Sequence, residues 1–153
     1  MNPSDFISLA VKLSYSRQEA ELRTAVSRAY YGAFHVAREA LEDCGICFPG
    51  KELFGADIHR KVRFCCASAG DMDASMAANK LDILRGERNY ADYNLRTKKF
   101  SYTKVKNVKA VVQRAIEIVD DLQRCRTGAA FDQFRSKVRA YARDVLRLPV
   151  RDE

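Results

Sequence analysis

Apolar residues recur along this chain at intervals of three and four, and no stretch alternates as a strand would, so the pattern predicts helices nearly throughout. Asn2-Pro3 opens the first helix, because proline suits a first helical turn, and Phe6, Leu9, Ala10 and Leu13 follow at helical spacing. A second helix runs from about Glu21 to Asp43 and stops at Gly45. Its faces separate cleanly: Tyr30, Phe34, Ala37 and Leu41 form an apolar stripe, with Arg28, Tyr31, Gly32, His35 and Glu39 on the opposite side. Gly45 to Gly55 reads as a partly packed loop. A short third helix covers roughly Asp57 to Ser68, with Gly70 after it and His59 in a structural place near its start. The fourth begins near Asp73 and turns Met76, Ile83 and Leu84 inward. Asn94 to Thr103 is a polar, basic loop. A fifth helix, about Thr103 to Arg124, repeats Val105, Val108, Val112, Ala115, Val119 and Leu122, the seam of a helix packed almost parallel or antiparallel to its neighbours. The last, about Ala129 to Leu146, carries Phe131, Phe134, Val138, Tyr141 and Val145, and Pro149 ends it. The expected architecture is an all-α antiparallel helical bundle.

With 153 residues the chain fits one domain with an independent core, and only ten Gly and Pro positions agree with an ordered, helix-rich protein. A net charge of +7 permits a polyanionic partner without demonstrating one. No segment is apolar for long enough to span a membrane. Of the five cysteines, Cys44-Gly-Ile-Cys47 has the spacing of a zinc knuckle or redox pair, but Cys65 and Cys66 are adjacent, a poor geometry for chelation, and are expected on different faces of their helix. The odd count and the lack of an N-terminal apolar run point to reduced thiols in a cytoplasmic protein with no metal and no cofactor.

The end of the fourth helix is chemically dense: Arg85-Gly-Glu-Arg-Asn-Tyr-Ala-Asp-Tyr93 gathers arginines, an amide, a carboxylate and two phenols. Arg88 and Asp92 are four apart on one helical face, and a planar guanidinium suits bidentate binding of a carboxylate. Such a cluster can hold a phosphate against Asp92 and the tyrosines, or it can be a structural ion pair. Arg28 and His35, two turns apart on the second helix, can flank a phosphodiester or form a solvated polar stripe. If Arg88 is only a surface charge, Arg88→Ala leaves the melting temperature nearly unchanged.

Two segments in order, Ser27-Arg-Ala-Tyr-Tyr-Gly-Ala-Phe-His-Val-Ala-Arg38 and Arg88-Asn-Tyr-Ala-Asp-Tyr93, resemble the HEPN family (higher eukaryotes and prokaryotes nucleotide-binding), in its small stand-alone bacterial and archaeal branch with an Arg-x-x-Ala-Asp-Tyr-like motif. The likeness covers roughly residues 5 to 125. It implies a four- or five-helix HEPN-type bundle over residues 1–126, with residues 127–153 as a C-terminal helical extension. It also implies homodimerisation, kinship with metal-independent endoribonucleases, and a minimal nucleotidyltransferase partner in a toxin–antitoxin pair. In the ribonuclease members an Arg-x(4–6)-His motif does the work. Arg88 matches its Arg and Asn89 the polar residue after it, but Tyr93 stands five beyond Arg88 and no His lies within six residues. Metal-free RNA cleavage needs proton exchange near neutral pH, which suits an imidazole far better than a phenol of pKa about 10. The candidate catalytic residues are therefore Arg88, Asp92, Tyr93 and His35, with Arg28, Tyr31, Arg85 and Asn89 as nucleotide- or RNA-binding residues. Three classes follow: a protein that acts on or binds RNA, a non-catalytic nucleotide-binding module, and a homodimeric adaptor.

Overall fold

A computed structural model describes residues 2–50, 56–96 and 104–151. Among them are six helices and no strand: α1 (Pro3–Leu13), α2 (Glu19–Asp43), α3 (Ala56–Ala67), α4 (Met72–Tyr93), α5 (Val105–Cys125) and α6 (Gly128–Asp144). The fold class is all-α. The far end of the Gly45–Gly55 loop and most of the Asn94–Thr103 loop lie outside the described residues. The chain forms two compact units, one of Met1–His35 with Lys80–Ile118 and one of Val36–Asn79 with Val119–Glu153.

The first unit holds α1 and the parts of α2, α4 and α5 that fall in its ranges. Asn2 caps α1 in a reciprocal box: its side chain accepts from the Ser4 amide, and its own amide donates to Asp5. Helix α2 buries Leu22, Ala25, Val26, Ala29, Tyr30, Ala33 and Phe34, a face rich in alanine that lets neighbours come close. Gly32 lies on no open polar face. It is buried where α1 crosses, and a Cβ there would stand 2.5 Å from Ile7 Cδ1 and 3.2 Å from the Ile7 nitrogen. The partners of α2 on α4 step backwards, Arg23 reaching Ala91 and Tyr31 reaching Arg88, so the two helices run antiparallel.

Helix α4 corrects the expected inward face. Ala74, Ala77, Ala78, Leu81, Leu84 and Ala91 are buried, whereas Met76 and Ile83 are exposed. Alanines and two leucines occupy the buried side, and Met76 and Ile83 are left outside.

The second unit packs α3 against α6, and Ile58, Val62, Phe134 and Val138 of these helices are buried. Ala142 takes the inward place expected of Val145, which caps α6 and is exposed. Gly45 ends α2 with φ +86°, a left-handed conformation that suits glycine. From there the chain meets the returning C-terminal segment: Ile46 bridges Val150, the Cys47 amide donates to Pro149 O at 2.8 Å, and Arg151 N donates to Gly45 O at 2.9 Å. Arg139 ties both sides, donating to Cys44 O at 3.0 Å and to Arg151 O at 2.8 Å. Buried Asp121 is matched by Arg124, which also reaches Asp73.

All five cysteines are reduced, and Cys44, Cys65, Cys66 and Cys125 are buried in this unit. Cys65 and Cys66 both face the core rather than opposite sides, because adjacent helical positions differ by only about 100° and this helix is covered broadly. Burial raises the thiol of Cys44 to about 11 and those of Cys65 and Cys125 to about 12, with Cys66 also raised. Thiols held protonated in this way are poor nucleophiles and poor ligands. Among the described residues no group of three or more His, Cys, Asp or Glu is placed to hold a metal, and no helix is long and apolar enough to cross a membrane.

Candidate functional site

All eight residues singled out from the sequence fall in the first unit. On α2, Arg23, Ser27, Tyr31 and His35 succeed one another by one turn each, so they line one stripe, with Arg28 beside it. Antiparallel α4 brings Arg88 and Asp92 against that stripe. Arg88 Nε lies 2.8 Å from Asp92 Oδ2, and the side chain is 17% exposed. The contact is an ion pair by distance, but its direction is not that of a hydrogen bond, and the pair is not bidentate. The other two nitrogens are spent elsewhere: one donates to Tyr31 Oη at 2.6 Å, the other to Asn89 Oδ1 at 3.1 Å. The guanidinium carbon sits 5.1 Å from the centroids of both Tyr31 and Tyr93. Arg88 is thus no bare surface charge. Its removal would take one partner from Asp92 and one from Tyr31 and lower stability, contrary to the expectation of an unchanged melting temperature.

Sequence reasoning missed three members of the cluster. Buried Ser27 donates its hydroxyl to Asp92 Oδ2 at 3.2 Å, so the carboxylate is held from both helices. Arg23, bound to Glu19, donates to the carbonyls of Tyr90, Ala91 and Asn94 and closes the C-terminal end of α4, where the helix dipole favours a cation. Phe6 comes from α1. The signal for Ser27 and Arg23 was their spacing of one and two turns from Tyr31, whereas nothing in the sequence pointed from α1 to α2.

Phe6 changes the surroundings of Arg28 and His35. The His35 ring stacks on Phe6 at 5.6 Å and on Tyr31 at 6.4 Å. The Arg28 guanidinium lies 5.5 Å from each of the same two rings. Arg28 and His35 therefore share one aromatic frame two turns long. Among the described residues no carboxylate pairs with Arg28, and its Nε is buried with no hydrogen-bond partner. Arg85 sits one turn before Arg88 and acts on Tyr30, whose phenol burial pushes well up while Arg85 and Arg88 pull it partly back. Tyr30 itself is buried, so it is part of the core rather than of any outer surface. Tyr93, the last residue of α4, is 71% exposed.

Compared with known proteins, the chain matches no family model, no curated protein and no solved structure. The chemistry must be read from the cluster itself. Arg88 is neutralised by Asp92 and aromatic on two sides, Arg28 is aromatic on two sides with no carboxylate against it among the described residues, and Tyr93, beside Arg88, remains largely exposed. Such an arrangement can bind an anion through Arg28 and stack a planar group on Tyr93. A proton-transfer pair is poorly provided, because Asp92 is already occupied by Arg88 and Ser27.

Proposed function

We propose that this protein is an HEPN-type RNA-binding protein, with Arg28 and His35 as the phosphate-contacting side of the site and Tyr93 as a stacking surface. The observation that carries the reading is Arg28: a guanidinium held between Phe6 and Tyr31, with no carboxylate against it among the described residues. Cleavage is the lesser role, because the family's His position is Tyr93 and the carboxylate is committed to Arg88. The test is fluorescence anisotropy with a labelled single-stranded RNA, beside a gel assay for cleavage in EDTA. Arg28→Ala should weaken binding about tenfold, as expected for a lost charge-assisted phosphate contact of about 1.4 kcal/mol. Tyr93→His should raise cleavage above that of the parent chain, since an imidazole exchanges protons at neutral pH. Unchanged RNA affinity in Arg28→Ala defeats the reading, and a thermal shift with ATP in its place moves the site to nucleotide binding.

The resemblance of the two motifs also supports a homodimer and a place as the toxin-like half of a pair with a nucleotidyltransferase. Exposed Ile83 and Tyr93 on α4 suit an interface centred on that helix. Light scattering should give twice the chain mass of 17.4 kDa, and a value at the chain mass rules the dimer out.

A further inference from the structure

The positive charge of this protein is not spread over it. Residues 93–116 contain seven of the 27 basic residues and none of the 20 acidic ones, which leaves twenty of each in the rest of the chain. The whole net charge of +7 therefore resides in one stretch of 24 residues that begins at the last residue of α4 and runs through the first half of α5. Glu117, the first acid beyond it, is already paired with Lys80 at 3.2 Å.

In the described part of this stretch, Arg96, Lys104 and Lys106 are exposed, and Lys109 is half-buried with its Nζ 3.6 Å from the centroid of Tyr15. Tyr15, just past the end of α1, is itself 66% exposed. The first turn of α5 has no acidic residue, although a helix N-terminus favours acids and disfavours lysines. Lys104 and Lys106 therefore stand where they work against helix stability, and the described part of the stretch contains no acid to screen them. The valines of α5 turn the other way: Val108, Val111 and Val112 are buried. Lysine without interleaved apolar side chains suits the regularly spaced charges of a phosphate backbone better than a membrane surface, which would ask for exposed apolar anchors on the same helix. The open ring of Tyr15, with a lysine already on it, adds a platform on which a base can stack.

We propose that the N-terminal half of α5, with Lys106, Lys109 and the Lys104 that precedes it, together with Tyr15, is a second contact surface that follows the phosphate backbone of single-stranded RNA. The proposal rests on the RNA-binding reading of the Arg28 site and extends it from one phosphate to a strand. The three lysines supply sequence-independent attraction, and Tyr15 supplies stacking.

The test uses the full chain and a poly(U) oligonucleotide, with affinity measured over a salt series. Changing Lys104, Lys106 and Lys109 together to Gln should weaken binding at least tenfold and lower the slope of log affinity against log salt by about 2, since each phosphate contact on a single strand contributes about 0.7 to that slope. Tyr15→Ala should weaken binding and leave the slope as it is. The melting temperature of the lysine variant should stay close to the parent's, because losing Lys104 and Lys106 relieves the dipole of α5 while losing Lys109 gives up one contact with Tyr15, so a loss of binding is not a loss of fold. An unchanged salt slope in the lysine variant overturns the proposal. Equal affinity of the parent chain for poly(U) and for polyglutamate also overturns it, because the surface would then be a site for acidic protein. If Arg28→Ala abolishes binding while the lysine variant is silent, this proposal falls and the Arg28 reading stands. The reverse result keeps the lysine surface and removes the Arg28 site, and a parent chain that binds no RNA removes both.

Discussion

Arg28 and Arg88 both lie against the Tyr31 ring, and what separates them is a carboxylate. Asp92 faces Arg88 and nothing of the kind faces Arg28 among the described residues. Asp92 thus reads as the group that keeps Arg88 in place and masks its charge, not as a proton donor or acceptor. Asp92→Asn should unmask Arg88 while the amide still accepts from Ser27. RNA affinity should rise about three- to tenfold, the scale of one gained charge-assisted contact. The stability cost should be about 1–3 kcal/mol, since both side chains are mostly buried and Arg88 keeps its charge while losing its counter-charge. Anisotropy and urea unfolding on the same variant measure both, and an unchanged affinity would show that Asp92 masks nothing. At this scale the sequence was informative about one helix at a time. Spacing alone places Arg88 beside Asp92 and Arg28 near His35, but which nitrogen meets which oxygen depends on Tyr31 and Ser27 arriving from another helix.

The helices themselves are legible because each repeats its apolar residues at helical spacing and is punctuated by Asn2-Pro3, Gly45 or Gly70. The inward face of α4 is not. Alanine has a weak hydropathy signal, so the Ala74, Ala77, Ala78 and Ala91 side is overlooked beside Met76 and Ile83, which are larger and turn out exposed. The same blindness applies to Gly32, which looks like a permissive residue in the middle of a helix. Replacing a mid-helix glycine with alanine ordinarily stabilises by roughly 0.5–1 kcal/mol. Here the new methyl meets Ile7, backbone included, so α1 must shift. Gly32→Ala should therefore destabilise by about 1–3 kcal/mol, the usual range for an overpacked contact. Adding Ile7→Ala removes the side-chain part of the clash and should recover part of that loss. Urea midpoints of the two variants decide it, and a Gly32→Ala chain as stable as its parent means that the helices are not held this close.

At the scale of the whole molecule, two properties are set by where residue types gather. Basic residues without acids gather at the start of α5, and thiols gather in the core of the second unit. The thiols make stability a function of pH with a definite sign. An exposed thiol in the unfolded chain has a pKa of about 8.5. In the folded protein burial raises Cys44 to about 11 and Cys65 and Cys125 to about 12, with Cys66 raised as well. Raised values mean that the folded state holds its protons where the unfolded state has released them. The stabilising contribution is therefore fully present below about pH 8 and is lost as pH climbs from there through the folded values. Each such thiol contributes a slope of up to about 1.4 kcal/mol per pH unit in that window, so four together approach about 5 kcal/mol per unit. A domain whose total stability is about 5–15 kcal/mol would then unfold within roughly one to three units above pH 9. Tyr30, also raised by burial, acts in the same direction above its ordinary range. Urea midpoints from pH 7 to 10.5 should stay level to about pH 8 and then fall with increasing steepness. Cys66→Ala should lower the steepness of that fall, because one fewer thiol ionises on unfolding. A midpoint that stays level through pH 10.5 would mean that the four sulfurs are open to water, and the second unit would then lack the packed core described for it.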